Sequence, residues 1–337
     1  MLKYGKSLAK NQNVTKEDFF ITAQWLNNKL KDPNSDIVVL DFSYNNSIQN
    51  EAAREKLSQT EPSHPFHRMY EQKHVPTALP IYINEVEDKS TFNIKSAEEI
   101  KKTLENKGIS NDTTVIVYSD DQCIAAYIAF IIYWIGIDNI KFLDGGLKGW
   151  ENAGYPFESG TNQPARTGKI TFEVPKRPNI LLKTPDDLLK AKDDNPELII
   201  ASVRNWQEYL NQISGYSYMT TGNNKEIAGA VYAKSSFNND CAYFVNNEFV
   251  CESKEAMDSW NQWGITPEKD IVFYCGGGYR AALVYFIAKT LGFKKVKMFQ
   301  GGSFQWNKYH QKNPSKYPVQ VGDPRTKDFR IINHSQQ

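Results

Sequence analysis

Short continuous apolar runs alternate along the chain with longer stretches of helical length. VIVY (115–118) and IVFY (271–274) are β-branched and aromatic runs suited to strands buried on both faces. Each is followed, after a short polar loop, by an apolar segment, AAYIAFIIYWIG or AALVYFIAKTLG. These close on Gly136 and Gly292, the residue type that accepts a left-handed helix end. NIKFL and KVKMF then return as strands. Strand, helix, strand in tandem predicts a right-handed crossover and a parallel sheet. DIVVLDFS and ELIIASVR predict a further strand ahead of each unit. HVPTALPIYI (from His74) and EIAGAVYAKS (from Glu226) form a matched pair of loops turning into strands. Helix starts are expected at Ser96 with Glu99, a capping box, and at Thr184-Pro185 and Thr266-Pro267, each an N-cap before a first-turn proline.

The two units are copies. Aligned without gaps, residues 115–150 and 271–306 agree at 10 of 36 positions, including Tyr118 with Tyr274, Gly145-Gly146 with Gly301-Gly302, and Trp150 with Trp306. Residues 156–179 carry four prolines and little periodicity, and read as a linker. The expected organisation is a first α/β domain over 1–155, the linker, a second domain over 180–325, and a tail over 326–337. Each domain is a mostly parallel sheet flanked by helices, of a size that supports its own core.

Composition narrows the function. Forty Lys+Arg against 39 Asp+Glu give a net charge of +1, which argues against a nucleic-acid binder. Hydrophobic residues at 40% rule out global disorder. Four cysteines are too few for a disulfide scaffold, so a reducing compartment is expected. Lys3, Lys6 and Lys10 lead into the chain without an apolar segment, unlike a secretory signal. The absence of acid before Glu17 makes a mitochondrial leader the alternative to a cytoplasmic location. No run reaches the ~20 apolar residues of a membrane span.

The copies differ where chemistry would sit. IVFY is followed by Cys275-Gly276-Gly277-Gly278-Tyr279-Arg280, and then a helix. Ligands of open α/β sheets bind at the carboxyl ends of strands. Consecutive glycines let successive amides curl inward as an anion nest, and the helix adds its positive end. A cysteine there is expected to be a low-pKa thiolate, with Arg280 adding positive charge. A structural cysteine beside a turn would not need three glycines. A dinucleotide fingerprint would want an acid about 20 residues on, and none occurs between Ile271 and Gly322. That same stretch holds eight basic residues, a local excess that could draw anions to the cysteine. A cysteine phosphatase uses C-x5-R, whereas this spacing is C-x4-R, a tighter ring that suits a single sulfur atom. These features favour nucleophilic catalysis at Cys275.

The CGGGYR loop, the FYC strand end, the GGxxxW ends at Gly145–Trp150 and Gly301–Trp306, and the HVPTA and EIAGA segments together resemble the two-domain rhodaneses, the thiosulfate and 3-mercaptopyruvate sulfurtransferases. The resemblance runs from about Thr15 to about Asp323. It implies that Cys275 takes a sulfane sulfur from a small anionic donor as a persulfide. Residues Gly276, Gly277, Gly278, Tyr279 and Arg280 would cradle that sulfur. A thiophilic acceptor, such as cyanide, a thiol or reduced thioredoxin, would remove it, without metal or organic cofactor. No nucleic-acid or membrane partner is implied, and nothing demands more than a monomer. In the first copy Ser119 replaces the cysteine and Ile124 the arginine, and Asp120 and Asp121 would repel anions; Cys123, off register, is expected in the core. Three features depart from the family. Gly276-Gly277-Gly278 matches neither the basic loop of thiosulfate-using members nor the Gly-Ser-Gly of mercaptopyruvate-using ones. The usual Asp-x-Arg reads Ser202-Val203-Arg204. Arg204 is expected to reach the donor's anionic end without its aspartate partner. These departures leave a non-catalytic sulfur-binding or regulatory module as the alternative. His74 is read as structural.

Overall fold

The computed structural model describes residues 15–42, 70–88, 91–213, 225–234, 244–245, 249–250 and 254–334. Lys3, Lys6 and Lys10 lie outside them. The first domain's strands are β1 (Phe20–Ile21), β2 (Ile37–Asp41), β3 (Leu79–Pro80), β4 (Thr114–Tyr118) and β5 (Ile140–Leu143). They form one parallel sheet in the order β1-β5-β4-β2-β3. The second domain has β6 (Leu181–Leu182), β7 (Ile199–Ser202), β8 (Glu226–Ile227), β9 (Val231–Tyr232), β10 (Phe244–Val245), β11 (Phe249–Val250), β12 (Ile271–Tyr274), β13 (Val296–Phe299), β14 (Val319–Val321) and β15 (Arg330–Ile332). Its main sheet, β6-β13-β12-β7-β9, repeats the parallel arrangement, with the fully buried β12 in the place of β4.

Three details differ from the sequence reading. Residues 326–337 are not simply a tail: Arg330–Ile332 pairs antiparallel with β14, which pairs with β8. Strands of three residues leave no local periodicity to read. Residues 156–179 are not a free tether: they strap the first domain. Gly168 donates to the Glu105 carbonyl, Lys176 to that of Ile135, and Ile170 is buried. Thr266-Pro267 opens only a turn, because β12 begins four residues after the proline. The caps at Ser96 and Thr184 form as expected.

The helix Gln122–Ile135 is buried on every side except at Tyr133. A helix with no polar face needs cover all round, and Tyr279–Thr290 of the second domain supplies it. Phe130 meets Tyr285 edge-on at 4.9 Å, and Phe286 meets Phe142 at 4.7 Å and Phe19 at 4.9 Å. One apolar cluster therefore runs through both domains. Among the described residues no helix is long and apolar enough to cross a membrane.

Because the domains share this core, urea unfolding should give one transition by both fluorescence and circular dichroism. Phe286→Ala should lower stability by about 3–5 kcal/mol. Two separated transitions in the wild type would contradict the shared core.

Candidate active site

Cys275 sits at the carboxyl end of β12 and is 2% exposed. Its Sγ accepts from the Gly278 amide at 3.2 Å, and the amides of Gly277, Arg280 and Ala281 are also directed at it. The curl depends on Gly278, which is left-handed at φ +97°. Behind the loop the second glycine of the Gly301-Gly302 pair matters. A Cβ on Gly302 would fall 2.4 Å from the Gly276 carbonyl oxygen. Without it, the next helix comes close enough for Ser303 and Phe304 to donate to the Cys275 and Gly276 carbonyls. On the other side of the loop, a Cβ on Gly277 would meet nothing within 4 Å among the described residues. The cradle is thus closed behind and open at Gly277.

The low thiol pKa expected from the sequence is not what results. Burial pushes the Cys275 thiol up, and the four amides, which favour the thiolate, only partly offset it. Depth was not readable from a loop motif.

The arginines are committed to buried ion pairs. Arg280 grips Glu208 with two hydrogen bonds, 2.8 and 3.1 Å. Arg204 is fully buried, donates to Glu226 at 2.7 Å, and lies 3.8 Å from Glu208. Burial works to raise the Glu208 carboxyl, yet the Arg280 and Arg204 charges hold it below its ordinary value. Burial raises Glu226 against the pull of Arg204. Arg204 is thus buried against Glu226 rather than placed at the loop's mouth, and Arg280 is paired with Glu208. The aspartate missing at Ser202 is replaced from elsewhere. In the first domain, Tyr118 donates to Asp41 at 2.5 Å and accepts from the Val75 amide. In the second, Tyr274 donates to Glu226 and accepts from the Ile227 amide. Since Asp41 pairs with Tyr118 as Ser202 pairs with Tyr274, the carboxylate has moved from the end of β2 to the position of His74. His74 itself is structural. It is buried, with Nδ1 2.8 Å from the Tyr70 carbonyl and Nε2 3.2 Å from Asn162.

The inert mouth of the first domain adjoins the loop. Ser119 is buried and Cys123 packs in the core. Burial raises the Asp121 carboxyl, and the nearby charge of Arg280 is among the forces opposing that rise. Tyr127 stacks on Tyr279 at 4.2 Å, and both phenols reach Glu87. Glu87, Tyr127, Glu208 and Gln300 carried no signal in the sequence that tied them to the loop. Glu226 did lie in a recognised segment.

The basic excess does not surround Cys275. Lys294, Lys295 and Lys297 lie at the amino end of β13, opposite the cysteine, and Lys289 is at the far end of its helix. Lys295 pairs with Asp270 and Lys316 with Asp186.

Two measurements follow. Arg204→Ala should cost about 3–5 kcal/mol of stability, because Glu226 would remain buried without its cation; intact stability with weakened donor affinity would restore Arg204 as a donor ligand. Burial raises Glu87 to about 7 from its ordinary 4.5, so its ionisation opposes folding. Relative to Glu87→Gln, the wild type should lose up to about 3 kcal/mol of stability as pH rises from 4.5 through 7. Denaturant unfolding at pH 5 and pH 8 measures this; equal differences at both would contradict it.

Comparisons with known proteins bear on the fold that carries this site. The rhodanese-like domain model matches residues 22–153 and 184–309. The thiosulfate sulfurtransferase YnjE of Escherichia coli is 34% identical over 261 residues, 76% of this chain. The chain spans 58% of that relative's length. The sulfur carrier protein TtuD of Thermus thermophilus is 30% identical over 248 residues, covering 71% of this chain and 84% of TtuD. The crystal structure of YnjE superposes with a TM-score of 0.75 at 27% identity, over 93% of this chain and 70% of that one. An EanB variant in complex with hercynine superposes with a TM-score of 0.75 at 25% identity, over 93% and 72%. With both domains matched and the cysteine loop at the mouth of the second alone, this chain belongs to the rhodanese family.

Proposed function

We propose that the protein is a sulfurtransferase that carries sulfane sulfur on Cys275. The observation that carries this reading is the Cys275 sulfur, faced by four backbone amides at the carboxyl end of β12. Such a ring can stabilise a thiolate and then a persulfide anion without a cation. The Cys275 thiolate attacks the outer sulfur of thiosulfate or the thiol sulfur of 3-mercaptopyruvate; with the latter an S–S bond forms to Cys275, the C–S bond breaks, and pyruvate leaves as its enolate and takes up a proton. With thiosulfate, an S–S bond forms to Cys275, the donor's S–S bond breaks, and sulfite leaves with the electron pair. A thiophile, such as cyanide, a small thiol or reduced thioredoxin, then attacks the terminal sulfur and returns Cys275 as thiolate. YnjE, named a thiosulfate sulfurtransferase, supports the donor class.

The upward push on the thiol favours one second reading, a module that holds sulfur for a partner and turns over poorly. The name of TtuD, a sulfur carrier protein, is consistent with it.

Incubation with either donor should add one sulfur to the intact mass, and Cys275→Ser should abolish the gain. No gain with any donor, or a gain in the serine variant, sinks both readings. Many turnovers with cyanide or a dithiol select the transferase, and a single discharge selects the carrier. Gly278→Ala forces an L side chain to φ +97°, a strain of about 1–2 kcal/mol, and should slow sulfur loading by about tenfold or more.

A further inference from the structure

Besides Cys275 and the arginine network, a buried carboxyl from the other domain reaches the loop through Tyr279. Glu87 directly follows the short helix Ile83–Val86 and is 6% exposed. Its Oε1 accepts from the phenol of Tyr127, in its own domain. Its Oε2 accepts at 3.4 Å from the phenol of Tyr279, in the sulfur-binding loop. The two rings are stacked with 20° between their planes.

We propose that Glu87 is a positioning residue for sulfur transfer, holding Tyr279 so that the loop amides stay aimed at the sulfur on Cys275. This rests on the sulfur-carrying role of that cysteine. Tyr279 lies between Gly278 and Arg280, whose amides both face Sγ. A displacement of its ring therefore turns the peptide groups that make the cradle. The loop has little slack on this side. A Cβ on Gly278 would lie 3.2 Å from Tyr127 Cε2 and 3.3 Å from Gln300 Cγ. Gln300 is itself tied to the Tyr127 hydroxyl and, across the domain boundary, to the Phe92 carbonyl. Tyr127, Gln300 and Glu87 thus form a wall, on which Tyr279 stacks through Tyr127 and to which it is hydrogen-bonded through Glu87.

A carboxylate suits this position in a way that an amide does not. Ionised, it accepts from two phenols at once, one on each oxygen. Protonated, it keeps both contacts only if one phenol turns to accept from the carboxyl O–H, and neither bond is then charge-assisted. Among the described residues, the titratable groups facing Glu87 are Tyr127, from the helix Gln122–Ile135, and Tyr279, from the loop; burial raises both the Glu87 carboxyl and the Tyr127 phenol. Asp88 and Lys95 flank Glu87 on its own hairpin. From the second domain, the Lys183 ammonium caps the carbonyls of Ile94 and Lys95. The grip on Tyr279 is therefore full above about pH 7 and loosens below it. The burial of Glu87 opposes folding in the same range where its hydrogen bonds serve the loop.

The test compares wild type, Glu87→Gln, Tyr279→Phe and the double variant. Three quantities are measured: sulfur loading from thiosulfate with discharge to cyanide, the pH profile of Cys275 alkylation by iodoacetamide, and unfolding at pH 8. Glu87→Gln should lower kcat about tenfold, with the donor KM changed less than about twofold, while the unfolding midpoint at pH 8 rises. Its rate and alkylation profiles should lose the acid limb near pH 7. Tyr279→Phe should match it, and the double variant should be no slower than either single one. Wild-type kcat and pH profile in Glu87→Gln would overturn the proposal, as would losses in the double variant that multiply. If wild type takes up no sulfur, the transfer reading fails by itself. The alkylation profile then decides the role of Glu87: a shifted profile sustains the positioning and an unchanged one overturns it.

Discussion

The packing of Gln122–Ile135 against Tyr279–Thr290 is the constraint on which the rest depends. Tyr127 meets Tyr279 while Tyr133 meets Phe286, so the helices run in the same general direction and begin at the same end of the interface. Each helix starts at the mouth of its own sheet. Packing them together therefore sets the two mouths side by side. The first domain, without a cysteine, becomes part of the wall around the cysteine of the second. A polar stripe on either helix would have left the domains to move independently. The near-complete burial of Gln122–Ile135 is the sequence-level reason that they do not.

The second constraint is charge. Arg204, Glu208, Glu226 and Arg280 are all buried beneath the loop, and two cations balance two anions. A network of this kind adds little net stability, but removing one member is costly. Its value here is geometric: Arg280 belongs to the loop and Glu208 does not, so their paired hydrogen bonds fix the loop's helical end. Among the described residues both arginines are held by carboxylates while the amides face the sulfur, so under the proposed chemistry hydrogen bonding rather than net charge would hold an anion. The exchange of carboxylates between Asp41 and Glu226 follows the same logic. Tyr118 and Tyr274 each need a buried acceptor, and either of two neighbouring backbone positions can provide it.

Much of this was legible in the sequence because it is local. VIVY and IVFY, the glycine-closed helices and the caps at Ser96 and Thr184 state their conformation within a few residues, and the ungapped repeat extended one domain's reading to the other. The loop around Cys275 was legible because three glycines have few other uses at the end of a buried strand. What failed depends on distance or depth. The strap made by residues 156–179 and the contact of Glu87 with Tyr279 join segments far apart in sequence, and Arg330–Ile332 is too short a strand to show a period. The direction of the Cys275 shift hinged on how much protein covers the sulfur, which no motif records. The basic residues between Ile271 and Gly322 are near Cys275 along the chain, yet a parallel strand carries Lys294, Lys295 and Lys297 to the opposite end of the sheet.

The depth of Cys275 has a kinetic consequence. Donor and acceptor must both reach the one sulfur of Cys275, which is 2% exposed, so they would take the space beside it by turns. Under the proposed chemistry, the spent donor has to depart before the acceptor can enter. The cycle is then a strict alternation rather than a ternary encounter. Each partner in excess would obstruct the other's half of the cycle, so throughput depends on the ratio of the two as well as on their amounts.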